Sequence, residues 1–220
     1  MRYYPINIDL RDRPVVIIGG GAVAARKAKR LISAGARLTV VAPRLDASLA
    51  PLASAGTLTH LEREYLDGDL AGAFLAFAAT DDPELNRKVA AEAAERGVLI
   101  DVVDAPTASG FTTPACLERG DLLVTVSTAG ASPALSRRIV KELETRFGAE
   151  YAEAVAILGA VREKMLTEKV GSAYNERVFA ELAALDLPSL IKNGQRDAID
   201  QILLKFSPSG ANRPGKKDPS

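Results

Sequence analysis

The sequence predicts an α/β protein, in which a parallel β-sheet with helices on both of its faces is followed by a helical region. Short apolar runs alternate with segments of helical period as far as about residue 127, an alternation that is typical of βαβ units. Beyond Ser132 only the helical period remains. With 220 residues and 47% apolar content, the chain can also bury a substantial core.

Six apolar runs predict the strands. They are residues 15–18, 38–42, 58–65, 74–79, 98–103 and 122–127. The run at 58–65, which alternates in polarity, is the weakest of them. Repeated alternation with helices favours one parallel sheet.

Helices are predicted from their period and from the signals at their ends. They cover residues 22–34, 83–96, 133–147, 149–167, 174–185 and 197–206. Asp82 and Ser132 are the expected N-caps of the second and third helices, each followed by proline, and Gly35 and Gly97 end the first two. Residues 207–220 are predicted to be disordered.

Composition excludes several classes of protein. The chain has 28 basic residues (Lys and Arg) and 28 acidic residues (Asp and Glu). This balance argues against nucleic acid as the main partner. Cys116, the only cysteine, is expected near the start of a helix as a packing residue, and a reducing compartment fits. We find no signal peptide or membrane-spanning run, so a cytoplasmic protein without membrane contact is expected. His60, the only histidine, is expected to be a surface residue, and no metal site is predicted.

A glycine turn links the first strand to the first helix. Gly19, Gly21 and Ala24 fit the pattern G-x-G-x-x-A. The first glycine permits the tight turn, the second lets a pyrophosphate approach the backbone, and the alanine permits close helix–strand packing. The following helix N-terminus favours phosphate. This context predicts a Rossmann-type dinucleotide site; the alternative is a glycine turn with only a structural role.

The end of the second strand leaves the choice of dinucleotide open. NAD-binding domains often have an acidic residue there, whereas this chain has Pro43 and Arg44. Arg44 favours a 2′-phosphate, and hence NADP, unless it is simply an exposed loop residue.

Further candidate residues follow other strands at the same edge. Asp104 is placed to take a proton while a hydride leaves for nicotinamide, or else to cap nearby amides. Thr80 and Asp81 are candidates for cofactor contact. Ser127, Thr128 and Gly130 lie in a small loop before a helix, where an anion such as a substrate carboxylate is expected to bind.

Together these segments resemble the precorrin-2 dehydrogenase family, which includes the N-terminal part of siroheme synthase. The shared segments are Tyr4-Pro5-Ile6, residues 16–24 with Arg26-Lys27, residues 78–82, residues 102–106, Phe111 with Pro114, and residues 126–130 with Ser132-Pro133. They follow the family order over about residues 3–147.

The resemblance implies that the protein oxidises precorrin-2 to sirohydrochlorin with NAD, and some members also insert ferrous iron. It implies that Asp104 is the acid/base residue, that the backbone around Ala22, Val23, Pro43 and Arg44 contacts NAD, and that the protein is a homodimer. Many members have asparagine where this chain has Asp101. The alternative function is that of a dinucleotide sensor without catalysis.

The expected domain organisation has four parts. Residues 1–113 form a Rossmann-type NAD-binding domain, residues 114–147 a dimerisation segment, residues 148–206 a helical domain, and residues 207–220 a disordered tail.

Overall fold

A computed structural model of the chain describes residues 3–103, 105–167 and 172–205, without the side chains of 172–176 and 205. The chain forms two compact units, Met1–Thr113 and Pro114–Ser220. The division between residues 147 and 148 stays a prediction, and the predicted tail, residues 207–220, lies outside the described residues.

The first unit contains a five-stranded parallel sheet. Its elements are β1 (Pro14–Ile18), α1 (Ala22–Ser33), β2 (Arg37–Val41), α2 (Ala50–Ser54), β3 (Thr59–Leu61), β4 (Leu75–Ala78), α3 (Pro83–Arg96) and β5 (Leu99–Val102). The strand order is β3-β2-β1-β4-β5, and every neighbouring pair is parallel. The strand order changes direction at β1, so the glycine turn after β1 lies at the switch point where such sheets bind ligands.

Apolar side chains cover both faces of this sheet. On one face Ile17, Val40 and Phe77 pack with Ala24 and Ala28 of α1. On the other face a second cluster joins the alternate strand residues to α3. Its buried members include Val16, Ile18, Ala76, Ile100, Val89 and Ala93. The predicted architecture of a parallel sheet between two helical layers is therefore confirmed.

The second unit begins with a hairpin that the sequence analysis described wrongly. The run at 122–127 forms β7 (Leu122–Val126), which pairs antiparallel with β6 (Ala115–Arg119) in a separate two-stranded sheet. Gly120 has φ +56 in the two-residue connection, as tight hairpin turns require. Cys116 therefore lies in a strand and not at the start of a helix. The error arose because β6 has too few apolar residues to show a strand period.

Helices form the rest of the second unit. They are α4 (Pro133–Arg146), α5 (Glu150–Thr167), α6 (Ser172–Ala183), α7 (Leu187–Lys192) and α8 (Arg196–Lys205). Ala154, Leu187 and Ile199 form one buried cluster among them, and Met165, Val178 and Leu182 form another. No helix in the described part of the chain has the length and apolarity to cross a membrane.

The residues at the ends of α3 and α4 predicted those helix ends, whereas short strands and helices were not predicted well. Asp82 and Ser132 cap α3 and α4 through their side chains, and Gly97 ends α3 with φ +67. The strand predicted at 58–65 is only three residues long, and the short helices α2 and α7 were not predicted. Six or fewer residues carry too little periodicity to be detected.

A buried carboxylate fixes the loop between β3 and β4. Glu92 of α3 accepts hydrogen bonds from the Tyr65 hydroxyl, from the amides of Gly68 (3.1 Å) and Leu70 (3.3 Å), and from Arg96 Nε (2.6 Å). Burial alone would raise the pKa of Glu92, but these donors outweigh it and hold the pKa below the ordinary value. The ionised carboxylate therefore stabilises the loop.

Replacing Glu92→Gln is expected to lower the free energy of unfolding at pH 7 by about 1–3 kcal/mol, because buried donors lose their charged acceptor. Since the pKa of Glu92 is lowered by folding, its contribution is present above the ordinary value of 4.5 and is lost as the pH falls below it. Urea unfolding of wild type and variant from pH 7 to pH 3 measures this. The two curves should converge in acid. The exposed Glu95→Gln on the same helix is the control, and equal effects of both variants would contradict the account.

Candidate functional site

The turn between β1 and α1 fits closely against the ends of two neighbouring strands. Gly19 has φ +114, a conformation that side chains other than glycine rarely adopt, and its amide donates to Val41 O of β2 at 2.9 Å. A Cβ on Gly19 would overlap the carbonyl oxygen of Ala79, which follows β4, and would lie 3.1 Å from the Thr80 amide nitrogen. The turn therefore has no room for a side chain here.

Gly20, to which the sequence analysis gave no role, is equally constrained. A Cβ there would overlap the carbonyl oxygen of Arg44 and would lie 2.9 Å from the Ala42 Cβ. The Gly20 carbonyl in turn accepts a hydrogen bond from the Asp46 amide at 2.7 Å. The loop after β2 is thus packed directly on the turn. Three consecutive glycines were the only local sign of this contact.

Open space lies beside Gly21, in contrast to its two neighbours. Apart from Gly21 itself and its two chain neighbours, no heavy atom comes within 4 Å of a Cβ built on Gly21, and its φ of −80° suits any residue. Gly21 is the N-cap of α1 and has no side chain to cap it, and the first helical hydrogen bond runs from Ala25 N to Gly21 O. The amides of Ala22 and Val23 are therefore helix-end donors, and the bare backbone leaves room for an anion beside them.

The loop after β2 carries the two other predicted cofactor residues. Pro43 and Arg44 are both exposed. Asp46, the next acidic residue in sequence, is hydrogen-bonded by the Ser48 side chain and by the Ser48 amide at 2.8 Å, and these bonds lower the pKa of the Asp46 carboxyl. His60 of β3 is hydrogen-bonded through Nε2 to the carbonyl of Ala42 at 2.9 Å. The only histidine thus helps to hold this loop.

Thr80 and Asp81 follow β4 on the other side of the turn. Buried Asn86 of α3 accepts from the Thr80 hydroxyl at 2.8 Å and donates through Nδ2 to the Thr80 carbonyl at 3.1 Å. Asp81 is exposed. Asn86 fixes this strand end, although nothing in its local pattern had indicated a role.

Asp104, the predicted acid/base residue, lies outside the described residues. Both of its neighbours are held to the sheet, since Val103 N donates to Ala78 O at 2.9 Å and Ala105 N donates to Val102 O at 3.2 Å. The carboxyl end of β5 is therefore anchored next to that of β4.

Residues 105–113, here called the strap, turn back along β5, which is an edge strand of the sheet. The Gly110 amide donates to the carbonyl of Ile100 at 2.8 Å. The Ser109 hydroxyl accepts from Val102 N at 2.9 Å and donates to Ala105 O at 3.1 Å. Backbone groups that an edge strand leaves unpaired are thus partly satisfied by the strap.

An ion pair joins α1 to β5. Lys27 Nζ donates to Asp101 Oδ2 at 2.7 Å and to Thr113 Oγ1 at 3.2 Å. Asp101 faces α1, whereas the adjacent Ile100 and Val102 belong to the apolar cluster on the α3 face. The carboxylate of Asp101, where many members of the family that the sequence resembles have asparagine, is thus paired with Lys27.

The predicted substrate loop belongs to the second unit. Ala129 and Gly130 have φ +53 and +87. The Ser127 hydroxyl accepts from Ala129 N at 3.1 Å, and the Thr128 hydroxyl accepts from Ser132 N at 3.0 Å. Both hydroxyls therefore shape the turn before α4.

The structure brings the predicted cofactor residues of the first unit to one edge of the sheet. Gly19 and Gly21 lie in the turn and Ala22 and Val23 begin α1. The turn lies between the loop of Pro43 and Arg44 and the strand end at Thr80 and Asp81. Across residues 3–103, 105–167 and 172–205, no group of three or more His, Cys, Asp or Glu side chains is placed to hold a metal ion.

The chain is similar to known proteins over nearly its whole length. The chain is 38% identical to the siroheme synthase of Chromobacterium violaceum over 216 residues, which are 98% of this chain and 46% of that protein. It is 42% identical to the siroheme synthase of Azotobacter vinelandii over 204 residues, 92% of this chain and 44% of that protein. The chain thus spans about half the length of these relatives.

A solved structure and a family model agree with these relatives. The structure titled "SirC, precorrin-2 dehydrogenase" is similar with a TM-score of 0.76 and 27% identity, covering 91% of this chain and 99% of that one. Residues 6–115 match the family described as "Putative NAD(P)-binding". The chain therefore belongs to this NAD(P)-binding family, and its predicted resemblance to the precorrin-2 dehydrogenases is confirmed.

Proposed function

We propose that this protein oxidises precorrin-2 to sirohydrochlorin with NAD+, as a step of siroheme synthesis. The observation that carries the proposal is the open backbone at Gly21, at the helix N-terminus and switch point of a chain whose relatives are siroheme synthases and a precorrin-2 dehydrogenase. These relatives favour the proposal over a dehydrogenase that acts on another small substrate.

The residues of the first unit fit a dinucleotide. The amides of Ala22 and Val23 would hold the pyrophosphate, and the adenosine ribose would lie against the loop of Pro43 and Arg44. Thr80 and Asp81 would border the dinucleotide on the other side. When bound, NAD+ supplies a hydride acceptor.

The remaining roles concern the tetrapyrrole. Oxidation removes two hydrogen atoms from the macrocycle, one as hydride to NAD+ and one as a proton, which Asp104 would take. Ser127, Thr128 and Gly130, before the N-terminus of α4, would bind a substrate carboxylate.

We further propose a cytoplasmic homodimer that pairs through residues 114–147. Two large apolar side chains in this segment are exposed, Leu123 of β7 and Leu135 of α4, each at 45%. A second copy of the chain would bury both side chains.

The glycine turn yields a test of dinucleotide binding that needs no substrate. Gly21→Ala is expected to raise the Kd for NAD+ at least tenfold with an unchanged Tm, because its Cβ fills only the space meant for phosphate. Gly20→Ala is expected to raise the Kd and lower the Tm, since its Cβ strikes the Arg44 backbone. Calorimetric titration and thermal melts measure both. Gly159→Ala, in open space on α5, is the control. Unchanged affinity in Gly21→Ala would contradict the assigned site.

The assay for the reaction is anaerobic incubation with precorrin-2 and NAD+, followed by visible spectroscopy. Wild type should form sirohydrochlorin, and Asp104→Asn is expected to lower kcat by about 100-fold or more, the usual contribution of a general base. The Kd for NAD+ should stay within threefold, and Glu95→Gln should behave as wild type. A wild-type protein that binds NAD+ but leaves precorrin-2 unchanged would overturn the assignment and favour a dinucleotide sensor.

The homodimer is tested by light scattering after gel filtration. Wild type is expected near twice the chain mass of 23.3 kDa, and Leu123→Glu is expected to shift it to a single chain, because a charge cannot be buried in the interface. Leu166→Glu, at a site 54% exposed on α5, is the matched control. A monomeric wild type would refute the proposal.

A further inference from the structure

The ion pair between Lys27 and Asp101 is unusual in its surroundings. Their side chains are only 14% and 13% exposed, and the Lys27 ammonium lies 4.8 Å from the centre of the buried Phe77 ring. Phe77 in turn meets Phe111 of the strap edge-on at 5.5 Å. An apolar pair of similar volume would stabilise such a site as well or better, because burying two charges costs desolvation. An apolar pair, however, could not make hydrogen bonds, which fix the direction of the contact.

The direction of these hydrogen bonds ties three elements together. Lys27 is on α1, the helix whose first residues form the dinucleotide turn, and Asp101 is on β5. Thr113, at the end of the strap, donates to Asp101 Oδ2 at 3.3 Å and accepts from Lys27. A shift of α1, of β5 or of the strap end would break at least one of these bonds.

The strap is consequently anchored along its length. Ser109 and Gly110 fasten its middle to β5, Phe111 packs against the sheet, and Thr113 fastens its end to Lys27 and Asp101. The strap starts at Ala105, directly after the proposed acid/base residue in sequence. The placement of the strap therefore fixes Ala105, the residue that follows Asp104 in sequence, relative to the dinucleotide turn.

We propose that Lys27 is a positioning residue, which acts through Asp101 and Thr113 to hold the strap in register with the dinucleotide turn for hydride and proton transfer. This inference rests on the proposed function for its catalytic consequence. Its structural part, the holding of the strap, does not.

The test compares Lys27→Met with the double variant Lys27→Met/Asp101→Asn. Lys27→Met leaves the half-buried carboxylate of Asp101 without its cation, so both Tm and kcat should fall. The double variant leaves no charged group without its partner, so its Tm should recover. Because the tie to α1 is still missing, its kcat with precorrin-2 should stay at least tenfold below wild type, with the KM for NAD+ within threefold. Hydrogen–deuterium exchange of peptides from residues 105–113 should be at least tenfold faster than in wild type.

The exposed Arg30→Gln, one turn further along α1, is the control and should match wild type in every measurement. If the double variant recovers kcat together with Tm and the strap exchanges at the wild-type rate, the pair is only structural and the inference is overturned. If wild type itself does not oxidise precorrin-2, the proposed function and the catalytic part of the inference fail together. The rate of hydrogen–deuterium exchange in the strap would still show whether Lys27 holds the strap in place.

Discussion

The close packing of bare backbone at Gly19 and Gly20 is the contact on which the rest of the site depends. A Cβ on Gly19 would overlap the carbonyl of Ala79, and a Cβ on Gly20 would overlap the carbonyl of Arg44. The ends of β1, β2 and β4 therefore meet within van der Waals distance. Because of this approach, α1 begins at the edge of the sheet with its N-terminus directed at open space beside Gly21.

Polar side chains fix the strand ends around that contact. His60 holds the carbonyl of Ala42, Asn86 holds Thr80, and Asp101 is joined to Lys27. His60 and Asn86 satisfy backbone carbonyls that follow β2 and β4, whereas Asp101 and Lys27 join β5 to α1 through their side chains. The edge of the sheet is thus a set of loops held in place by a few directed hydrogen bonds, which suits the proposed alignment of a dinucleotide with a tetrapyrrole.

The parts of this arrangement that local sequence determines were predictable. The parallel sheet followed from the alternation of apolar runs with helices, and Asp82 and Ser132 marked helix starts through their type and the prolines after them. Contacts between distant segments were not. Gly20 is constrained by a loop beyond β2, and Lys27 by a residue on β5. The partner of β7 was missed because Ala115–Arg119 has no clear strand period.

The central claim is that the turn at Gly19–Gly21 and the start of α1 form the dinucleotide site. A crystal structure of the protein with NAD+ tests it most directly. The account predicts the pyrophosphate beside Gly21 within hydrogen-bonding distance of the Ala22 or Val23 amide, with the adenosine ribose against Pro43 and Arg44. A dinucleotide bound away from this edge of the sheet, or a pyrophosphate that leaves these amides without contact, would contradict it.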